Sequence, residues 1–455
     1  MTQDHKPLEH QPQLARRLGL FDATMLVMGG IIGSGIFMNP SVVARQVNTP
    51  FLIIGVWIVG GLVALAAAFI WAELAWRRPE VGGQYSYLRE AFHPSIAFIY
   101  GWALLLVIQT GGMAAVAITL SRYFLELTHL QISDWVVAVL ALGVLTLINC
   151  LGVRSGSTVQ SILMVLKILA ILVLIACGLF VRFPNQASPK PELVTTHALD
   201  LNYLTTIGAA MVPVLFSYGG WQTATFVAGE IREPEKNLPK SLIIGVTAVV
   251  ILYVSVSYVC LAVLGAEGLA LTTTPASDVM RRALGEWGAR AIALGIAIST
   301  LGFLSQGMLT APRVYYAMSQ DGLFFHSVGR LHSKTLVPVV AIALQGVLAI
   351  VIAVSGRYDQ ILNYVVSVDF IFFGLTACCI FVFRKHRQGQ QRFSSKGVTV
   401  PGHPITTILF IAVCWMVVIN TIYKYPKNTL IGVAILIAGI PVYLFWRWRN
   451  KNDQS

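Results

Sequence analysis

Charge is what this sequence has least of: only 11% of its 455 residues are Asp, Glu, Lys or Arg, against 56% hydrophobic and a mean hydropathy of +0.73. A soluble domain of this length does not need so much apolar surface, so the shortage excludes an ordinary globular fold and marks an integral membrane protein. Histidine is missing from the middle of every long apolar run. His5, His10, His93, His129, His197, His326, His332, His386 and His403 all fall in loops or near run ends. Intramembrane hydrolysis or metal chemistry would call for H-E-x-x-H, G-x-S-x-G or paired deep acids. With two deep charges and no such element, an intramembrane enzyme is a remote alternative, and no cofactor or metal is expected. The six cysteines (Cys150, Cys177, Cys260, Cys378, Cys379 and Cys414) all lie in apolar runs and read as buried free thiols, not disulfides. No lipidation motif or long soluble domain is visible. The first twenty residues are polar, carry Lys6, Arg16 and Arg17, and lead into a full-length span, which is not the pattern of a signal peptide.

What the chain does have is length without charge. A membrane helix needs about 20 apolar residues, and twelve runs supply them: 20–46, 50–76, 92–125, 134–152, 156–181, 202–229, 240–264, 287–318, 337–355, 360–383, 404–423 and 428–447. The third and eighth are longer than a bilayer requires and predict strong tilt. Pro275 to Gly285 reads as a short re-entrant or surface helix. The formal charge of +12 is spread through short loops, which fits cytoplasmic retention better than a nucleic-acid partner. With the N-terminus inside, 21 Lys and Arg fall on the cytoplasmic side and 10 outside, so both termini are expected in the cytoplasm of an inner (cell) membrane.

One run is broken. Gly29-Gly30-Ile31-Ile32-Gly33-Ser34-Gly35-Ile36-Phe37 lies inside the charge-free stretch Ala23 to Arg45. Each glycine costs a helix about 1 kcal/mol relative to alanine, and backbone groups freed within lipid must find partners. The stretch reads as two half-helices, with the N–H groups of Gly33, Ser34 and Gly35 opening the second and favouring an anion. Small residues also let membrane helices approach closely. A second broken run, Val214-Leu215-Phe216-Ser217-Tyr218-Gly219-Gly220-Trp221-Gln222, shifts the balance toward a binding site. Paired, glycine-interrupted spans in two halves are the signature of inverted-repeat transporters. The breaks fall in spans one and six, so units 20–181 (spans one to five) and 202–383 (spans six to ten) would face opposite ways. Residues 404–447 form an appendage, and 1–19 and 448–455 are cytoplasmic tails.

These residues resemble a known family. Gly29 to Phe37, Ala72-Glu73-Leu74 and Gly82-Gly83-Gln84-Tyr85-Ser86-Tyr87 look like the amino acid–polyamine–organocation superfamily. Phe216-Ser217-Tyr218-Gly219-Gly220-Trp221, with Glu230-Ile231-Arg232-Glu233-Pro234 and Asn237-Leu238-Pro239, narrows the likeness to its L-type amino-acid transporter family. The resemblance implies an all-α membrane fold of twelve helices, a five-plus-five inverted repeat of the leucine-transporter type, with helices one and six unwound at mid-membrane. It implies that a substrate carboxylate meets the N–H groups of Gly33, Ser34 and Gly35. The ammonium would meet carbonyls of Ile31, Phe216 and Gly219, and Phe216 would close the outer side, although ordinary packing would also explain that ring. Tyr218 and Trp221, flanking Ser217 and the two glycines, either line the pocket or fill space. Gln222 departs from the asparagine often found there and blurs substrate preference.

Two charges sit deep. Lys167 is flanked by the uncharged runs 155–166 and 168–181, where a lysine costs roughly 2.5–3.5 kcal/mol and should turn into the bundle. In the resembled family such a lysine touches the first span and stands where sodium-coupled relatives hold an ion, which implies sodium independence. A helix tether is the plainer alternative. Asp369 either couples to protons or only hydrogen-bonds its neighbours. Glu73 and Glu230, beside Arg77, Arg78 and Arg232, form inner-gate ion pairs or are simply solvated span ends. Tyr85 and Tyr87 read as interfacial anchors. The loop Arg122 to Asp134 lacks the cysteine through which animal members bind a glycoprotein, so no disulfide-linked ancillary subunit is expected. The expectation is sodium-independent exchange of neutral amino acids across the lipid bilayer, with proton-coupled symport, Lys167 or Asp369 titrating, as the alternative and a channel as a remote one.

Overall fold

The computed structural model describes residues 18–151, 156–180, 201–332, 337–355, 358–385 and 397–452. Among these the regular structure is helical apart from one isolated bridge between Leu18 and Ile231. Much of the charge count that orients the chain lies outside the described residues: Lys6, Arg16, Arg17, Arg154, Arg182, Lys190, Lys334, Arg357, Arg387, Arg392 and Lys396. So does most of the N-terminal tail.

Helix α1 (Leu20–Ile31) starts where the Asp22 carboxylate accepts from the Gly19 N–H at 3.0 Å, and it stops at the first glycine-rich break. Helix α2 (Gly35–Gln46) resumes after it, and α3 (Pro50–Arg77) opens on a proline, whose missing N–H costs nothing in a first turn. Short α4 (Gln84–Ala91) follows Gly82 and Gly83, both at positive φ. Helix α5 (Pro94–Ala103) runs through a π-helical turn, Leu104–Ile108, into α6 (Gln109–Thr128). Then come α7 (Asp134–Cys150), α8 (Gly156–Phe180) and α9 (Leu201–Tyr218), the last ending at the second break, beyond which lie α10 (Thr223–Phe226) and a 3-10 turn. Helix α11 (Pro234–Leu271) bends at Gly265, and α12 (Pro275–Thr310) leaves helical geometry at Gly285, so Pro275 opens a short helix as its sequence implies. The rest are α13 (Pro312–Gln320), α14 (Val339–Ser355), α15 (Tyr358–Lys385), α16 (Ile405–Lys424) and α17 (Pro426–Asn452).

Among the described residues eight helical stretches are long and apolar enough to cross a bilayer, and four shorter apolar helices accompany them. Large apolar side chains such as Leu62, Leu140, Leu147, Ile251 and Leu444 face outward, as lipid contact requires. The interior is held by close helix crossings. A Cβ on Gly61 would come within 2.7 Å of a Val250 methyl, so glycine there leaves room for that α11 side chain against α3.

Two expectations need correcting at the end of the bundle where α3 and α15 finish. Tyr85 and Tyr87 are fully buried. They are not interfacial anchors: Tyr85 donates to the Asp321 carboxylate at 2.6 Å, and Arg89 pairs with the same carboxylate at 2.5 Å, fastening α4 to the end of α13. Glu73 is likewise wholly buried and not a solvated span end. It takes Arg77 at 2.7 Å, Arg384 at 2.6 Å and the Val400 N–H at 2.8 Å, which meets the rule that a buried charge must be paired. Arg78 pairs instead with Glu90, and Glu230 with Arg313 at 3.4 Å.

Candidate functional site

The chain leaves helical geometry at Ile32, Gly33 and Ser34, and again between Gly219 and Gln222. These two interruptions touch. Gly220 has φ +112° and a Cβ on it would overlap the Gly30 carbonyl, while a Cβ on Gly30 would lie 2.7 Å from the Gly220 oxygen. Only glycine permits that backbone contact. Above the junction Asn39 donates to Ser217 Oγ and to the Pro213 carbonyl, both at 2.8 Å, tying α2 to α9.

Around the junction lies a small cavity of about 80 Å³. Of the sequence-predicted residues, Ile31, Gly33, Ser34, Gly35, Phe216, Ser217, Gly219 and Gln222 line it, and so does Asp369. Tyr218 and Trp221 do not. The Tyr218 hydroxyl donates to the Trp57 carbonyl at 3.1 Å, and Trp221 packs on Trp71 and Phe373. They fill space behind the break. Lys167 also stands behind the lining, buried, its Nζ donating to the Ile32 carbonyl at 2.5 Å.

The pattern of used and unused backbone groups is specific. Gly33 N–H is taken by the Ile31 carbonyl at 2.8 Å, and that carbonyl also accepts the Tyr253 hydroxyl at 3.0 Å. The N–H groups of Ser34, Gly35 and Ile36 have no acceptor among the described residues, so the open donors start one residue later than the sequence suggests. The Ser34 hydroxyl, wholly buried, has no partner there either. At the second break the Phe216 carbonyl accepts one bond, from Gly219 N–H at 3.2 Å, and keeps a lone pair. Open donors on Ser34 and Gly35 therefore border the cavity from one break and the Phe216 carbonyl from the other, the complement of a zwitterion. Gly35 owes its identity to packing: a Cβ there would lie 2.7 Å from the Ser217 Cα.

Three helices complete the lining with residues that periodicity did not single out. From α12 come Phe303, Gln306, Gly307 and Thr310, a single stripe at helical spacing. From the π-turn and α6 come Ile108, Gln109, Gly112 and Val116, and π-turns recur at functional sites because they re-aim the next side chains. Val365, Val366 and Phe370 join Asp369 from α15. The signal for two of these helices was a lone amide: Gln109 and Gln306 sit within otherwise apolar runs.

The chain is similar along nearly its whole length to known proteins. The serine/threonine exchanger SteT of Bacillus subtilis (strain 168) is 28% identical over 448 residues, covering 96% of this chain and 98% of that protein. The human cystine/glutamate transporter is 26% identical over 451 residues, 98% of this chain and 88% of its own length. The human large neutral amino acids transporter small subunit 2 is 27% identical over 449 residues, 96% of this chain and 82% of its own. The profile of the family described as amino acid permease matches residues 18–445. The chain thus belongs to the amino acid permease family of the amino acid–polyamine–organocation superfamily, a family of transporters and not of enzymes.

Proposed function

We propose that this protein exchanges neutral L-amino acids across the cell membrane by alternating access, without sodium. The observation that carries this reading is the junction of two helix interruptions on one cavity, with unbonded N–H groups at Ser34, Gly35 and Ile36 and an open carbonyl at Phe216. The substrate carboxylate takes the N–H groups and the Ser34 hydroxyl. Its ammonium takes the carbonyls of Phe216 and Gly219, with Ile31 already committed, and Phe216 covers the outer side. Lys167 stands beside the first break in place of a bound cation. Eight long and four shorter apolar helices read as twelve crossings, arranged as repeats 20–181 and 202–383 followed by 404–447. Both termini lie in the cytoplasm, and the chain works without a disulfide-linked partner.

Purified protein in lipid vesicles tests the mechanism. Vesicles preloaded with neutral amino acid are expected to take up labelled substrate at least about tenfold faster than empty ones, with or without sodium. Strong uptake into empty vesicles driven by a pH gradient would replace exchange with proton-coupled symport. Ser34→Ala is expected to weaken equilibrium binding by about tenfold to 150-fold, the worth of one hydrogen bond to a charged group, about 1.5–3 kcal/mol. It introduces no steric change, so unchanged affinity would remove Ser34 from the carboxylate site.

A further inference from the structure

Among the described residues Asp369 contributes the one charged side chain to the cavity lining, and its carboxylate has neither an ion-pair nor a hydrogen-bond partner there. The other polar groups there are mostly committed. Ser217 donates to the Pro213 carbonyl, Thr223 to Gly220, Gln306 to Leu26 and Thr310 to Gln306. Lys167, the other deep charge, is spent on the Ile32 carbonyl and lies off the lining. A neutral amino acid brings a carboxylate and an ammonium that answer the two helix breaks and leave Asp369 unbalanced. An uncompensated carboxylate at a cavity wall is costly in a low-dielectric setting. A substrate with a second ammonium, on its side chain, removes that cost.

Building on the exchange reading above, we propose that Asp369 forms a side-chain subsite that admits amino acids carrying a cationic side chain, widening the substrate range beyond the neutral class. The wall beside it is built for such a chain. Val365, Val366 and Phe370 on the same helix face offer apolar surface to methylenes, and the carboxylate stands among them to receive the terminal charge. Gln109, whose amide has no partner among the described residues, is the additional polar group open to the cavity from the facing helix α6.

Matched pairs test this in the reconstituted full-length protein. Lysine, ornithine and 2,3-diaminopropionate are each compared with the uncharged analogue of the same skeleton (norleucine, norvaline and 2-aminobutyrate) as competitors of exchange. For at least one pair the cationic member is expected to bind about tenfold or more tighter than its neutral analogue. Asp369→Asn, which preserves shape, is expected to erase that ratio. A preference for the neutral member throughout in the wild type would overturn the proposal. So would a ratio unchanged by Asp369→Asn, or a variant whose sole defect is loss of pH-gradient-driven uptake. Failure of every α-amino acid to compete would instead overturn the exchange reading on which the subsite rests.

Discussion

Lys167→Ala is expected to slow exchange at least about tenfold, equivalent to about 1.4 kcal/mol in the barrier, while equilibrium substrate affinity changes by no more than about threefold. The Ile32 carbonyl is one of the orphan acceptors at the end of α1, and the Lys167 ammonium answers it at 2.5 Å. The position suits the charge twice over, since helix C-termini carry partial negative charge and a buried acceptor left unpaired costs about 1–3 kcal/mol. Ile32 lies within the first interruption, where a conformational change that opens and closes the cavity must bend the chain. Removing the ammonium alters how tightly that bend is held without touching the lining residues. The effect is therefore expected in turnover first. Single-turnover exchange set beside equilibrium binding reads the two separately, and an unchanged exchange rate would reduce Lys167 to a tether.

Gly220→Ala is expected to cost about 3 kcal/mol or more, enough to lower the yield of folded protein and its melting temperature by several degrees. The residue adopts φ +112°, where an L side chain is strained, and the new methyl group would overlap the Gly30 carbonyl of the other break. A backbone atom cannot step aside as a flexible side-chain tip can. The neighbour supplies the control. A Cβ on Gly219 meets no atom nearer than 3.4 Å, so Gly219→Ala is expected to melt close to wild type. If Gly220→Ala melts within about 2 °C of wild type, the direct contact of the two breaks is wrong.

The parts of this molecule that were legible in its sequence are those where one residue type violates its surroundings. Four glycines between Gly29 and Gly35 contradict a continuous helix, and the chain does leave helical geometry there. A lysine amid apolar residues has to find a partner, and Lys167 points into the bundle. The facing of α6, α12 and α15 was not legible because lipid and protein interior are equally apolar. Val116, Phe303 and Phe370 carry no mark that separates a cavity wall from a lipid contact. The fates of Tyr85 and Glu73 were hidden for another reason. Their partners Asp321 and Arg384 lie far along the chain, and no local pattern announces such a meeting. The one-residue offset of the open N–H groups was unreadable in principle, since it depends on Gly33 bonding back to Ile31.

The segment leading into α1 is pinned by main-chain bonds: Leu18 N–H to the Glu230 carbonyl at 3.0 Å, and Arg232 N–H to the Leu18 carbonyl at 2.8 Å. This clasp joins the outset of the first span to the stretch just past the second break, and its strength comes from peptide groups and not from side chains. Peptide groups released from each other re-bond to water at little net cost, so the latch can part and re-form readily. Because no charge is involved, its grip should be indifferent to ionic strength, unlike the nearby pairing of Arg313 with Glu230.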